Sequence, residues 1–221
     1  MCEALLSFLY RLLLPRQQAC LEGFDYSFQA NYSYLWDWTI NALKEITEYN
    51  PNIKIALEYK PNEPRAFSLM PDVSTTLMAI KEVGNKNMGV VLDFAHVLYA
   101  DEMPAYSANL ISRSSEILGV HLNDGYGKWD NGLMVGAVHP LQIVELLVEL
   151  KKVNYNRAIY FDTFPDHSGL DPIEEARTNI KIFKKLGKVA DKLINNSDLN
   201  EAISNQNASQ ALNIVQEYLF K

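Results

Sequence analysis

Apolar positions recur along this chain in two alternating rhythms, one helical and one strand-like. Tyr34–Tyr49 places Leu35, Trp38, Ala42 and Ile46 near helical spacing, and Asn50-Pro51 ends that run. "IKIALEYK" follows as a strand. A helix over Val73–Val83 is expected after Pro71-Asp72, with Gly84 as its stop. Strand "MGVVLDFA", a helix beginning near Pro104, and strand "LGVHLND" come next. His139-Pro140 opens another helix that leads to strand "RAIYFDTF". Asp171-Pro172 supplies an N-cap and a proline at the first helical position, and Gly187 is the expected end of that helix. The remainder to Lys221 reads as one or two further helices, the last opened by Ser197-Asp198, with Leu212, Val215, Tyr218 and Leu219 as its apolar stripe.

Four strands alternating with helices define an α/β chain with a parallel sheet. Right-handed crossovers make that sheet either an open doubly wound one or part of a closed (β/α)8 barrel. No glycine-rich fingerprint follows any strand, which argues against a dinucleotide or Walker A phosphate site. Composition narrows the class further. The chain has 221 residues, 48% hydrophobic and 21% charged, enough for one sizeable core. Its net charge of -7 and the lack of a Lys/Arg cluster argue against a nucleic-acid partner. Cys2 and Cys20 both lie in the first twenty residues, so no disulfide framework spans the chain and a reducing cytoplasm is expected. The apolar run Ala4–Leu14 is shorter than the roughly 20 residues of a membrane span and lacks a basic leader, so neither a membrane segment nor a secretory signal is expected.

The chemistry gathers at the strand ends. Glu58, Asp93, His121 and Asp162 each close one strand, at separations of 35, 28 and 41 residues. About 250 residues in eight units gives about 31 per unit, so this is barrel spacing. Strand alternation puts Glu58 on a face with Ala56, Asp93 with Gly89 and Val91, His121 with Gly119, and Asp162 with Ala158 and Tyr160. All four would then meet at the C-terminal mouth, where barrel active sites form. Three carboxylates and one imidazole suit a hard or borderline divalent cation such as Mn²⁺, Mg²⁺ or Co²⁺, with Zn²⁺ also open.

Together "LEYKPNEPR", "VVLDFAH", "GVHLND" and "YFDTFP" resemble the xylose isomerase-like TIM-barrel superfamily, in its L-rhamnose isomerase and D-tagatose 3-epimerase branch. The resemblance covers residues 23 to about 190 and implies strands five to eight of such a barrel. It implies that Glu58, Asp93, His121 and Asp162 hold the metal, Mn²⁺ first among the candidates. It also implies that Lys60 bonds substrate hydroxyls and that His96 is a substrate or second-metal ligand. The pattern places an acid soon after His-x-Asn-Asp, where Asp124 and Asp130 compete; Asp124 joins Lys60 and His96 as the expected catalytic set. His139 and His167 match no motif and read as helix-cap or loop histidines, and Glu63 with Arg65 reads as a loop ion pair.

The implied activity is metal-dependent interconversion of an aldose and a ketose on a monosaccharide, in the manner of rhamnose isomerase, because Asp162 is one methylene shorter than the paired glutamate of the epimerases. Ketose 3-epimerisation is the alternative. A non-catalytic barrel fragment or interaction module is a second alternative, and an abasic-site endonuclease is remote, since four histidines and an acidic chain do not suit a histidine-rich three-zinc site. "MCEALLSFLYRLLLPRQQACLE" has no β/α character, which leads to the expectation of the C-terminal half of a barrel, from a truncated or misread gene. Three segments are expected: 1–22 outside the family pattern, 23–190 as partial barrel and 191–221 as a helical tail. The open sheet edges of half a barrel leave pairing into a homo-oligomer open.

Overall fold

Four short strands, rich in branched and aromatic apolar residues, line up side by side in chain order in the computed structural model. The structure describes residues 23–164, 169 and 171–220. The strands are β1 (Ile55–Glu58), β2 (Met88–Asp93), β3 (Ile117–Leu122) and β4 (Ile159–Phe161). Every neighbouring pair is parallel, with Glu58 opposite Val91, Asp93 opposite His121, and His121 opposite Tyr160. A parallel sheet in sequential order, with a helical crossover between strands, is an arc of a β/α barrel.

The described helices are α1 (Tyr32–Tyr49), α2 (Val73–Val83), α3 (Phe94–Tyr99), α4 (Pro104–Ser114), α5 (Pro140–Lys152), α6 (Pro172–Leu193), α7 (Ser197–Ser204) and α8 (Ala208–Leu219). Their starts follow local chemistry. Asn31 caps α1 and Asp72 caps α2 by accepting backbone N–H bonds from Tyr34 and Thr75. Gly84 ends α2 in the left-handed conformation at φ 76°, which a residue with a Cβ adopts at a cost. Asp171 accepts from the Ile173 N–H with Pro172 behind it, as the sequence predicts.

The core lies between the sheet and the helices outside it. Val90, Leu92, Val120 and Leu122 point outward from β2 and β3 onto Ile111 of α4 and Ile143 and Leu146 of α5, all fully buried. Burial of each such side chain stabilises the fold by about 1.5–3 kcal/mol. Close approach also shapes the sheet. A Cβ at Gly89 would come within 2.5 Å of the Glu116 carbonyl oxygen and 2.6 Å of Leu118 Cγ, so only glycine fits where β2 passes β3.

Four elements depart from expectation. The buried stripe of α1 is Leu35, Thr39, Ile40, Leu43 and Thr47 rather than Leu35, Trp38, Ala42 and Ile46. Two threonines can be buried there because their hydroxyls donate to carbonyls one turn back, Thr39 to Leu35 and Thr47 to Leu43. Helix α3 begins directly at the end of β2, where a continuing strand was expected, because Asp93 itself caps it. Helix α6 continues through Gly187 to Leu193; its packing through Leu186, Ala190 and Leu193 outweighs the glycine's propensity cost of about 1 kcal/mol. On α8, Ala211, Ile214, Val215, Tyr218 and Leu219 pack toward the core, while Leu212 faces outward. No described helix is long and apolar enough to cross a membrane. Cys2, Cys20, the run Ala4–Leu14 and His167 lie outside the described residues.

Candidate metal centre

The side chains that close the four strands come together at one end of the sheet. Glu58, Asp93, His121 and Asp162 each offer one donor atom, and the four atoms all lie within 4.8 Å of one another. His121 sits at the middle. Its Nδ1 is 3.1 Å from Glu58 Oε1, 3.5 Å from Asp162 Oδ2 and 3.7 Å from Asp93 Oδ2. The Tyr160 ring meets the His121 ring edge-on at 5.9 Å between centroids and covers one side of it.

The three carboxylates differ in their surroundings. The Asp93 side chain has no exposed surface, whereas those of Glu58 and Asp162 are 33% and 39% exposed. Asp93 Oδ1 accepts the His96 N–H at 3.0 Å, and the Asn123 amide donates to both Asp93 oxygens at 3.3 and 3.2 Å. Burial pushes the Asp93 carboxyl up to about 6, against the downward pull of His96. A buried carboxylate with two others nearby is costly by itself, and a divalent cation would neutralise it. The donor set therefore fits a metal: one imidazole, three carboxylate oxygens and converging atoms.

A second group adjoins the first. His96 Nε2 lies 3.1 Å from Asp130 Oδ2, which also accepts from Lys60 Nζ at 3.2 Å. His96 Nδ1 is 3.6 Å from Glu58 Oε1, and neither His96 Nδ1 nor Asp130 Oδ1, both buried, has a hydrogen-bond partner among the described residues. Burial opposes a charged His96 ring, but Asp130, Asp93 and Glu58 outweigh it and raise its pKa. Burial likewise acts upward on Asp130, yet His96 and Lys60 hold it below the usual carboxylate range. Lys60 is held above its usual value by Glu63 and Asp130 despite partial burial.

Asp124 has a different setting. Fully buried, it accepts from the backbone N–H groups of Gly125, Val138 and His139 at 2.8–2.9 Å and pairs with His139 Nδ1 at 2.9 Å. Its oxygens secure the entry to α5, and it is not among the four converging donors; Asp130 is the acid beside Lys60 and His96. His139 is the N-cap residue of α5. Glu63 and Arg65 do not pair their side chains as expected: Glu63 bonds Lys60 at 2.9 Å, and Arg65 bonds Asp25 at 3.1 Å.

Sequence reasoning passed over two supports of this site. Glu102 accepts from Tyr59 Oη at 2.7 Å, the Val73 N–H at 3.0 Å and Ser107 Oγ at 3.2 Å, tying the end of β1 to the starts of α2 and α4. Burial raises its pKa above the usual carboxylate range. Asn123 is the other. Glu102 lies on no strand, whereas Asn123 falls two residues after His121 in "LGVHLND", on the same face by strand alternation, and that signal could have marked it.

The fold has known counterparts. A solved D-tagatose 3-epimerase-like protein superposes with a TM-score of 0.64 at 24% identity, over 77% of this chain and 61% of that one. A solved L-ribulose 3-epimerase gives 0.62 at 15% identity, over 77% and 60%. D-psicose 3-epimerase from Clostridium cellulolyticum H10, solved with D-tagatose, gives 0.60 at 14% identity, over 74% and 60%. IolI, solved with a bound zinc atom, gives 0.58 at 16% identity, over 75% and 60%. In sequence, an uncharacterized protein of Methanocaldococcus jannaschii is 29% identical over 140 residues, 62% of this chain and 47% of its own. The chain thus spans about three fifths of these solved proteins and about half of the archaeal one. The family model for the xylose isomerase-like TIM barrel matches residues 16–186, and the chain belongs to that family.

Proposed function

We propose that this chain carries the metal-holding part of a monosaccharide isomerase or epimerase site, and that the reaction is ketose 3-epimerisation. The observation that carries the proposal is the convergence of Glu58, Asp93, His121 and Asp162 donor atoms within 4.8 Å. The names of the solved relatives favour epimerisation over the aldose–ketose conversion expected from the short Asp162 side chain. Glu58, Asp93, His121 and Asp162 would hold a divalent cation, which would supply Lewis-acid polarisation of a ketose carbonyl and so acidify the hydrogen on the neighbouring carbon. Mn²⁺ suits the oxygen-rich donor set, and the zinc bound by IolI keeps Zn²⁺ as the second candidate.

The chain's own residues then divide the work. Asp93, enclosed and held by two donors, has no free approach to substrate and serves to hold the ion. Glu58 and Asp162 are the carboxylates with exposed surface, so they are the groups that can take a proton from one sugar face and return one to the other. Lys60, supported by Glu63 and Asp130, donates to sugar hydroxyls and helps orient the carbon that reacts. Stereochemistry at that carbon inverts when removal and return occur on opposite faces.

Aldose–ketose isomerisation is the second reading, favoured by the buried, unpartnered His96 Nδ1 and Asp130 Oδ1 beside Lys60. A sugar hydroxyl would satisfy either atom. Incubating the chain with Mn²⁺ and a panel of ketohexoses in D₂O separates the readings. Epimerisation yields the C3 epimer carrying solvent deuterium at C3 and no aldose. Aldose production would move the assignment to the second reading, and metal binding without turnover of any sugar would leave a non-catalytic domain.

A further inference from the structure

We propose that Asn123 is a positioning residue of the metal centre, holding the Asp93 carboxylate so that Oδ2 faces the other three ligands. The inference rests on the metal reading above. Asn123 lies one residue beyond β3 and is fully buried. Its Oδ1 accepts the Ala95 N–H at 2.9 Å, which settles the orientation of the amide: the NH₂ group must face Asp93. From there it reaches Oδ1 at 3.3 Å and Oδ2 at 3.2 Å.

The two Asp93 oxygens have separate tasks. Oδ1 caps α3 through the His96 N–H. Oδ2 lies on the His121 side, 3.7 Å from Nδ1, and among the described residues its hydrogen-bond donor is Asn123. Remove that donor and the carboxylate can turn about its last torsion, which is broad for aspartate. The amide also crosses from the end of β3 to the end of β2 and the first turn of α3, so it sets the spacing of Asp93 and His121. Being neutral, it does this without competing for the cation. Outer partners of metal-binding carboxylates of this kind affect metal affinity about 10–100-fold.

The test is calorimetric titration of the full chain with Mn²⁺, with Asn123→Ala, Asn123→Leu and Asp93→Asn alongside, and the electron paramagnetic resonance spectrum of the bound ion. Thermal melts in EDTA monitor folding separately. Asn123→Ala should weaken Mn²⁺ binding about 10–100-fold. It should also broaden or split the Mn²⁺ spectrum, as expected for a ligand that has lost its fixed orientation. Asn123→Leu keeps about the same size while removing the donor without adding charge and should weaken binding similarly, so it carries the test if the alanine variant folds poorly. A purely structural Asn123 would lower the melting temperature and leave affinity within twofold of the parent and the spectrum unchanged, which would overturn the proposal. If Asp93→Asn also leaves affinity unchanged, the metal reading itself fails and this inference with it; if Asp93→Asn alone weakens binding, only the inference fails.

Discussion

The metal-free fold is expected to be less stable at neutral pH because of Asp93, and replacing that residue by asparagine should reveal it. Burial moves this carboxyl from its ordinary 3.8 to about 6. At about 1.4 kcal/mol for each pKa unit, ionised Asp93 costs the empty site about 3 kcal/mol. The sign follows from proton linkage. An acid with a raised folded-state pKa binds its proton more tightly folded than unfolded. For this group the fold is therefore most stable below about pH 4, loses stability between about pH 4 and 6, and bears the whole penalty above that. Asp93→Asn keeps an oxygen for the His96 N–H and cannot ionise. Urea denaturation in EDTA, from pH 4 to pH 8, should therefore show the variant gaining on the parent as pH rises, by about 3 kcal/mol in all. Mn²⁺ at a thousandfold over its dissociation constant should reverse the order at pH 7, since it then adds about 4.1 kcal/mol to the protein that binds it. A stability difference between variant and parent that stays constant from pH 4 to pH 8 would show that ionised Asp93 carries no such cost.

Two further outcomes concern the scaffold. Glu102→Ala deprives Tyr59, Val73 and Ser107 of their acceptor and should cost about 1–3 kcal/mol or more in chemical denaturation, with Glu102→Gln costing less. Equal losses for the two variants would mean that the acceptor role is unimportant. Gly89→Ala forces a Cβ against the Glu116 carbonyl and Leu118, and should lower stability by about 1–3 kcal/mol, read by the same assay. An unchanged midpoint would show that β2 and β3 can separate there without loss.

Much of the fold was legible because strand periodicity is local. Alternation at period two fixed the face of Glu58, Asp93, His121 and Asp162, and the barrel spacing between strands put them at one mouth, where the four donors are found. The parallel order and the helix starts at Asp72 and Asp171 were equally readable, since a cap depends on the few residues around it. What escaped depends on tertiary contacts. Asp124 and Asp130 stand six residues apart in one loop, and only the folding of that loop sends one to the α5 entrance and the other to Lys60 and His96. Gly187 reads as a helix end until Leu186 and Ala190 are seen packed on either side of it. The Glu102 contacts join elements through a side chain that follows no repeating pattern, and the reach of the Asn123 amide to Ala95 and Asp93 depends on how β3 lies beside β2. The reaction was less legible than the site, because isomerases and epimerases differ in which groups surround a similar ligand set.

That Glu58, Asp93, His121 and Asp162 form one metal centre is open to direct measurement. Equilibrium titration of the EDTA-stripped chain with Mn²⁺, beside Glu58→Gln, tests it most directly. The parent should bind saturably, and the variant, having lost one charged ligand from the set, at least tenfold more weakly. Failure of the parent to bind, or equal binding by parent and variant, would contradict it.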